Sequence, residues 1–321
     1  MFMSSYSQMQ NGVIFFPNST NIGDDIQTYA ASLLVEKPVF CNRERLDEVT
    51  KNTQLLCNGW FMENAIHWPP SESVKPLFIS FHISSKNLEL MTSAKAIEYY
   101  KQHQPIGCRD HHTLNLLESY HIDAYFSGCL TLTLPKHEGT RGDEILFVDV
   151  LRTNYSKNYR ETIVKNIIPD AYKDKVTYVS HFSDDLNNLD AQARMSQAKQ
   201  LLDRYAKAKI VFTSLIHCAL PCVALGTPVV FIDFGFNNND AKRDRFNGII
   251  DLFHIESDLT APFMERNLAA KLGRGFRLHN LKKDQIKELS EEIFNYSEVT
   301  TQHLDKVEKM KTTIQNYFTR N

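Results

Sequence analysis

Three polar stretches of the 321-residue chain hold side chains suited to moving protons and binding anions. The first is Gly23-Asp24-Asp25. Gly23 lets the backbone approach a ligand closely. A helix start needs one acidic residue as cap or dipole partner, which leaves the other, more readily Asp24 than Asp25, to orient or deprotonate a hydroxyl. The second is Gly107-Cys-Arg-Asp110. A guanidinium at the end of a buried strand must meet an anion. Arg109 therefore pairs internally with Asp110 or Asp24, or its planar fork grips the carboxylate or phosphate of a ligand. The third is Thr213-Ser-Leu-Ile-His217. Ser214 is the expected N-cap of a helix, which sets His217 in a first turn whose open N–H groups favour an anion. The plainer alternative for His217 is a buried ring bonded to nearby backbone. Pro221 has no N–H, so the His217 carbonyl loses its usual helical partner.

Weaker candidates surround these. His82 ends a strand and faces either the same cleft or the core. Asn58-Gly-Trp60-Phe61 and Trp68-Pro-Pro70 offer aromatic surfaces for stacking on a sugar, or for ordinary packing. Lys242, Arg243 and Arg245 follow an Asn-rich loop and form a solvated face or an anion clamp. Lys271-Leu-Gly-Arg-Gly-Phe-Arg277 holds a Gly-x-Gly with no clear strand before it, a weak phosphate signal.

The three stretches sit where strands give way to helices. Short apolar runs at Val13–Phe16, Leu77–His82, Ile106–Arg109 and Asp123–Phe126 read as buried strands. Helical patterns follow at 26–34, 93–103 and 113–120. The series restarts with strands at Ile145–Val150, Val176–His181, Ile210–Thr213 and Val229–Asp233, and helices at 160–168, 198–208 and 215–225. The polar stretch Pro135–Asp143 is the natural boundary. The expected fold is α/β, with two Rossmann-like doubly wound domains, 1–140 and 141–280, facing a cleft, and C-terminal helices over 281–321. Ile286, Leu289 and Ile293, then Leu304, Val307, Ile314 and Phe318, give those helices an apolar stripe that closes a domain. In such sheets ligands bind at the carboxyl ends of strands.

Bulk properties narrow the function. A net charge of −2 gives no field to draw nucleic acid. The six cysteines show no CxxC spacing and no histidine cluster completes a zinc pattern, so no metal site and reduced thiols in a cytoplasm are expected. The polar start, Met1–Gly12, lacks the basic and apolar regions of a signal peptide. No apolar run approaches the length of about 20 residues that spans a membrane, which leaves peripheral attachment open.

Taken together, Asn21-Ile-Gly-Asp-Asp-Ile-Gln27, Gly107-Cys-Arg-Asp110 and Thr213-Ser-Leu-Ile-His-Cys-Ala-Leu-Pro-Cys222 with Ala224-Leu-Gly-Thr-Pro228 resemble the polysaccharide pyruvyl transferase family across most of the chain. The resemblance implies a glycosyltransferase-B-like fold and transfer of a pyruvyl group from phosphoenolpyruvate to two hydroxyls of a sugar, giving a ketal, with no other cofactor. His217 would then protonate the enol carbon and Asp24 would handle an acceptor hydroxyl. Arg109, Ser214, Thr213, Arg243 and Arg245 would face the donor. Gly23, Asp25, Asp110, His82, Asn58 and Trp60 would face the saccharide, whether free, nucleotide-bound or lipid-linked. The family has Arg-Leu-His or a close variant where this chain reads Leu215-Ile-His217, and Arg243 or Arg245 are the candidates to replace that arginine. Two other readings stay open: a relative using a nucleotide-sugar donor, and a non-catalytic glycan-binding protein.

Overall fold

The computed structural model describes residues 9–150, 168–232, 248–256 and 290–319. The expected helix over 160–168, the basic residues Lys242, Arg243 and Arg245, the Gly-x-Gly segment, and Ile286 and Leu289 lie outside the described residues, save for Ile168.

Two parallel sheets organise the chain. The first has six strands: β1 (Gln10–Phe15), β2 (Val39–Asn42), β3 (Thr53–Phe61), β4 (Val74–Ile83), β5 (Ile106–Cys108) and β6 (Ala124–Phe126), in the order β2-β1-β3-β4-β5-β6. The second has five: β7 (Ile145–Val148), β8 (Val176–Val179), β9 (Ile210–Thr213), β10 (Val229–Ile232) and β11 (His254–Glu256), in the order β11-β10-β9-β7-β8. Both orders reverse between a sheet's first and third strands, at β1/β3 and at β7/β9. At such a reversal the connections leave in opposite directions and open a crevice at the carboxyl ends. Each sheet thus has one place where a ligand is expected, and the residues that follow β1 and β9 stand there.

The described helices are α1 (Ile22–Ser32), the single turn α2 (Leu88–Met91), α3 (Ala94–Gln102), α4 (His111–Ser119), α5 (Ala191–Lys207), α6 (Ile216–Leu225) and α7 (Leu304–Thr319). Strand residues alternate between faces, and the core follows that alternation. Val13, Leu56 and Ile79 of the first sheet join Leu146, Val211 and Phe231 of the second in one continuous core that also takes in α1, α5, α6 and α7. Their neighbours Ile14, Leu55 and Phe78 bury on the opposite face of the first sheet, and Ile145, Phe212 and Val230 on the opposite face of the second. The middle layer is therefore shared. Within α7, Val307, Met310 and Ile314 are buried while Leu304 is exposed. Hydrogen bonds from Gln54 Nε2 to the Tyr317 carbonyl (3.2 Å) and from Tyr317 Oη to the Lys75 carbonyl (2.7 Å) hold this last helix on the first sheet.

Two central features depart from the sequence expectation. Asn58–Phe61 were offered only as an aromatic surface, and residues 53–61 were not among the expected strands. They form β3, between β1 and β4, with a register shift between Cys57 and Gly59 and a positive φ of 92° at Gly59. The glycine makes the bulge rather than a turn. Trp68, expected either to stack on a sugar or to pack, packs: it is buried against Phe61, Phe78, Phe81, Tyr99 and Tyr100.

Charge also joins the two sheets. Arg194 of α5 meets Asp25 of α1 through two hydrogen bonds, Nε to Oδ1 at 2.8 Å and Nη2 to Oδ2 at 2.9 Å, and both side chains are fully buried. The remaining guanidinium hydrogens go to the carbonyls of Pro17, Ser19 and Leu186. Ile22 N donates to the His181 carbonyl (2.8 Å) and Ser183 N to the Thr20 carbonyl (2.9 Å). Burial pushes Asp25 up to about 6 despite Arg194's pull in the opposite direction. Removing one member of such a pair strands the other and costs about 3–5 kcal/mol. Arg194→Leu should lower the denaturant midpoint accordingly, and Asp25→Asn in the same chain should restore part of the loss. Equal midpoints for Arg194→Leu and the native chain would show that the pair carries no stability.

Candidate functional site

The N-terminus of α1 is built by its own side chains. Asn21 is the N-cap and accepts from Gly23 N at 3.0 Å. Asp24 Oδ2 accepts from Ser19 Oγ at 2.6 Å and Oδ1 from Gln27 Nε2 at 3.2 Å. Gln27 stands one turn below Asp24 on the same helix face, and its Nε2 also lies 3.4 Å from His217 Nδ1, at the start of α6. Gly23 makes that approach possible. A Cβ there would sit 3.1 Å from both His217 Cβ and His181 Nδ1. The first and third stretches thus meet, and Asp24, Gln27 and His217 form one buried line from the first sheet to the second. Gln27 and His181 were not singled out from the sequence, although Gln27 lies three residues after Asp24 within the quoted motif.

The cap of α6 differs from expectation. Leu215, not Ser214, is the N-cap, and it offers no side-chain acceptor. Ser214 Oγ donates to the Ile232 carbonyl at 2.8 Å. Thr213 Oγ1 donates to the Val148 carbonyl at 2.9 Å and accepts from Leu215 N at 3.0 Å. These two hydroxyls, expected to face a donor, tie β9 to its neighbouring strands. Leu215 packs at the edge of the shared core.

The second stretch is a buried charge cluster. Asp110 caps α4, accepting from Thr113 N at 2.9 Å, and its Oδ2 lies 2.6 Å from His82 Nδ1 and 3.5 Å from Arg109 Nε. Asp110 is fully buried and faces these partners rather than solvent, so its expected contact with a saccharide is not what the structure places there. Arg109 is 1% exposed, yet its Nε and Nη1 make no hydrogen bond among the described residues. Its nearest anion among the described residues is Asp110, so the internal pair expected as one alternative from the sequence is present.

A cavity of about 770 Å³ opens at the carboxyl ends of β1 to β4, and Phe182 from beyond β8 completes its wall. Asp24, Asn21, Ser19, Trp60 and His82 line it. One face of Trp60 is covered by Arg43, whose guanidinium sits 4.1 Å from the indole ring and 4.7 Å from that of Phe16. Arg43 Nε donates to Glu44 Oε1 at 2.6 Å, and Glu44 in turn accepts from Glu63 N and Asn64 N, which shapes the rim. Asn58 stays inside β3, with an Oδ1 that has no partner among the described residues. Asp25, expected to face the saccharide, is instead paired with Arg194.

Among the described residues no group of three acidic, histidine or cysteine side chains could hold a metal ion, and no helix is long and apolar enough to cross a membrane. All six cysteines are free and buried.

Two parallel sheets, each reversing its strand order once, with helices packed on their faces, define a mixed α/β protein. The model of the polysaccharide pyruvyl transferase family matches residues 21–234, and the chain belongs to that family. A search of curated proteins returns no match. Two solved structures align at low similarity. One is a functionally uncharacterised protein from Klebsiella pneumoniae subsp. pneumoniae NTUH-K2044, 13% identical over 77% of this chain and 93% of that one, with a TM-score of 0.39. The other is the H444N variant of the wall teichoic acid polymerase TagF, 9% identical over 97% of this chain and 89% of that one, with a TM-score of 0.36.

The charge cluster has a signature in pH. Burial raises Asp110, but His82, Arg109 and the Thr113 N–H outweigh it and hold the carboxyl at about 2, below its ordinary 3.8. A carboxyl lowered in the folded state stabilises above its unfolded pKa and loses that contribution as pH falls through the folded one. Between pH of about 4 and about 2 the chain should therefore lose about 2 kcal/mol from this group. Denaturant midpoints measured across that range should fall less steeply in Asp110→Asn; parallel slopes would remove Asp110 as a source.

Proposed function

We propose that the protein transfers a pyruvyl group from phosphoenolpyruvate to two hydroxyls of one sugar in a polysaccharide or its precursor, and that the two sheets act as the halves of a glycosyltransferase-B-like fold with the reaction between them. The observation that carries this reading is the meeting of His217 with the Asp24–Gln27 pair, since Asp24 also lines a cavity large enough for a saccharide.

Each step balances with residues at hand. A proton delivered by His217 to C3 of the donor turns its methylene into a methyl group and leaves C2 electrophilic. A sugar hydroxyl adds to C2 and gives its proton to Asp24. The bond between C2 and the bridging phosphate oxygen then breaks, and phosphate leaves. A second hydroxyl closes the ketal ring on C2, and its proton leaves with the phosphate. Arg109 is the counter-ion for the donor, since its open N–H groups suit a carboxylate or phosphate fork. Fixed donors of this kind stabilise charge as it develops, at no cost of reorganisation. Trp60 and the polar rim of the cavity are the acceptor side. Phosphoenolpyruvate is the co-substrate, and no metal or other cofactor enters the scheme.

Incubation with phosphoenolpyruvate and a panel of saccharides should release phosphate and produce a ketal methyl signal in the NMR spectrum. Binding of a nucleotide sugar with no such release across the panel would overturn the reading. His217→Ala should abolish turnover and keep the circular dichroism spectrum, whereas retained turnover removes His217 from the chemistry. Leu215→Arg should tighten phosphoenolpyruvate binding if position 215 borders the donor; unchanged or weaker binding assigns Leu215 to packing alone.

A further inference from the structure

The contact at Gln27 constrains two titratable groups at once. A single atom of its amide lies 3.2 Å from Asp24 Oδ1 and 3.4 Å from His217 Nδ1. The two ends of an amide differ in kind: nitrogen only donates, oxygen only accepts. An ionised Asp24 can only accept, so while it is ionised the shared atom must be Nε2. The same Nε2 then faces His217 Nδ1, which must accept as well, and the ring's proton stands on Nε2 of the imidazole. The opposite arrangement turns Oε1 towards both groups. It requires a proton on Asp24 and a proton on His217 Nδ1 together. Mixed states leave two donors or two acceptors face to face in a site where Gln27, Asp24 and His217 are all buried, and such a clash is costly.

We propose that Gln27 is a positioning residue that ties the proton state of His217 to that of Asp24 across the two sheets. With Asp24 ionised, His217 is held as the Nε2–H tautomer. When Asp24 gains a proton, the amide is released to turn and His217 can hold a proton on Nδ1. The local build supports an amide that selects between these states. Its partners come from different helices, α1 and α6, Ser19 fixes the far oxygen of Asp24 at 2.6 Å, and the missing side chain of Gly59 leaves room beside the amide. A Cβ on Gly59 would stand 3.1 Å from Gln27 Oε1. For the proposed reaction, on which this consequence alone rests, the hydroxyl's proton would reach Asp24 as His217 delivers its own to C3, so that the two groups change state together.

The tautomer can be read without turnover. In ¹⁵N-labelled full-length protein at neutral pH, the His217 ring, assigned by its loss in His217→Ala, should show a protonated Nε2 and an unprotonated Nδ1. In Asp24→Asn the new amide can donate to Gln27 Oε1, so the resonances should shift towards the Nδ1–H tautomer, although residue 24 does not touch His217. In Gln27→Leu the ring loses this contact and the share of the Nε2–H tautomer should fall. If Gln27→Leu does not fold, the Asp24→Asn spectrum still decides. A protonated Nδ1 in the native protein, or an Asp24→Asn spectrum identical to the native one, overturns the proposal. If pyruvyl transfer occurs, Gln27→Leu should lower kcat by about tenfold or more with little change in KM. Absence of any pyruvyl transfer would overturn the reaction while leaving the tautomer result standing.

Discussion

The Arg194–Asp25 pair is the constraint on which the site depends. A guanidinium removed from water must find five acceptor directions, and Arg194 finds them in Asp25 and the carbonyls of Pro17, Ser19 and Leu186. Those partners are the loop after β1 and the first turn of α1. Fixing them to α5 fixes the start of α1 against the second sheet. Asp24, one residue earlier, is thereby aimed at the cavity, and Gln27, two residues later, at His217. Replacing this pair with apolar residues of similar volume could preserve stability, but it would not supply the hydrogen bonds that orient the loop.

Facing helix starts explain why charge gathers here. The amino end of a helix carries a partial positive charge, and α1 and α6 bring two such ends together where Gly23 meets His217. α1 compensates with Asp24 and Asp25 in its first turn, while α6 has no acidic residue in its own and no side-chain cap.

Much of this was legible in the sequence. Strands β1, β4, β5, β7, β9 and β10 announce themselves as short apolar runs, because parallel strands covered on both faces need apolar residues at nearly every position. β2 and β11 are short edge strands with little such signal, and β3 mixes polar residues such as Gln54 and Asn58 with a glycine bulge, so it lacks an unbroken apolar run. The three reactive stretches were visible because polar residues at the ends of apolar strands stand out. What could not be read was partnership. The sequence favoured Asp24 over Asp25 as the spare carboxylate, but it named no partner for Asp25. That partner is Arg194, 169 residues away from Asp25. For the same reason Ser214 resembled a cap, yet its hydroxyl serves β10 and the cap falls to Leu215.

The rim of the large cavity has a further meaning. Glu44, Glu63, Asn64 and His67 lie on short connections after β2 and β3, outside the shared middle core, and Glu44 alone bonds to the backbone of both residues 63 and 64. The histidine line, by contrast, is embedded in helices that cannot shift without disturbing both sheets. Substitutions on the rim can accumulate at little cost to folding, while those along the line cannot. A lineage could therefore retune what enters the cavity many times over while inheriting the same inner machinery unchanged.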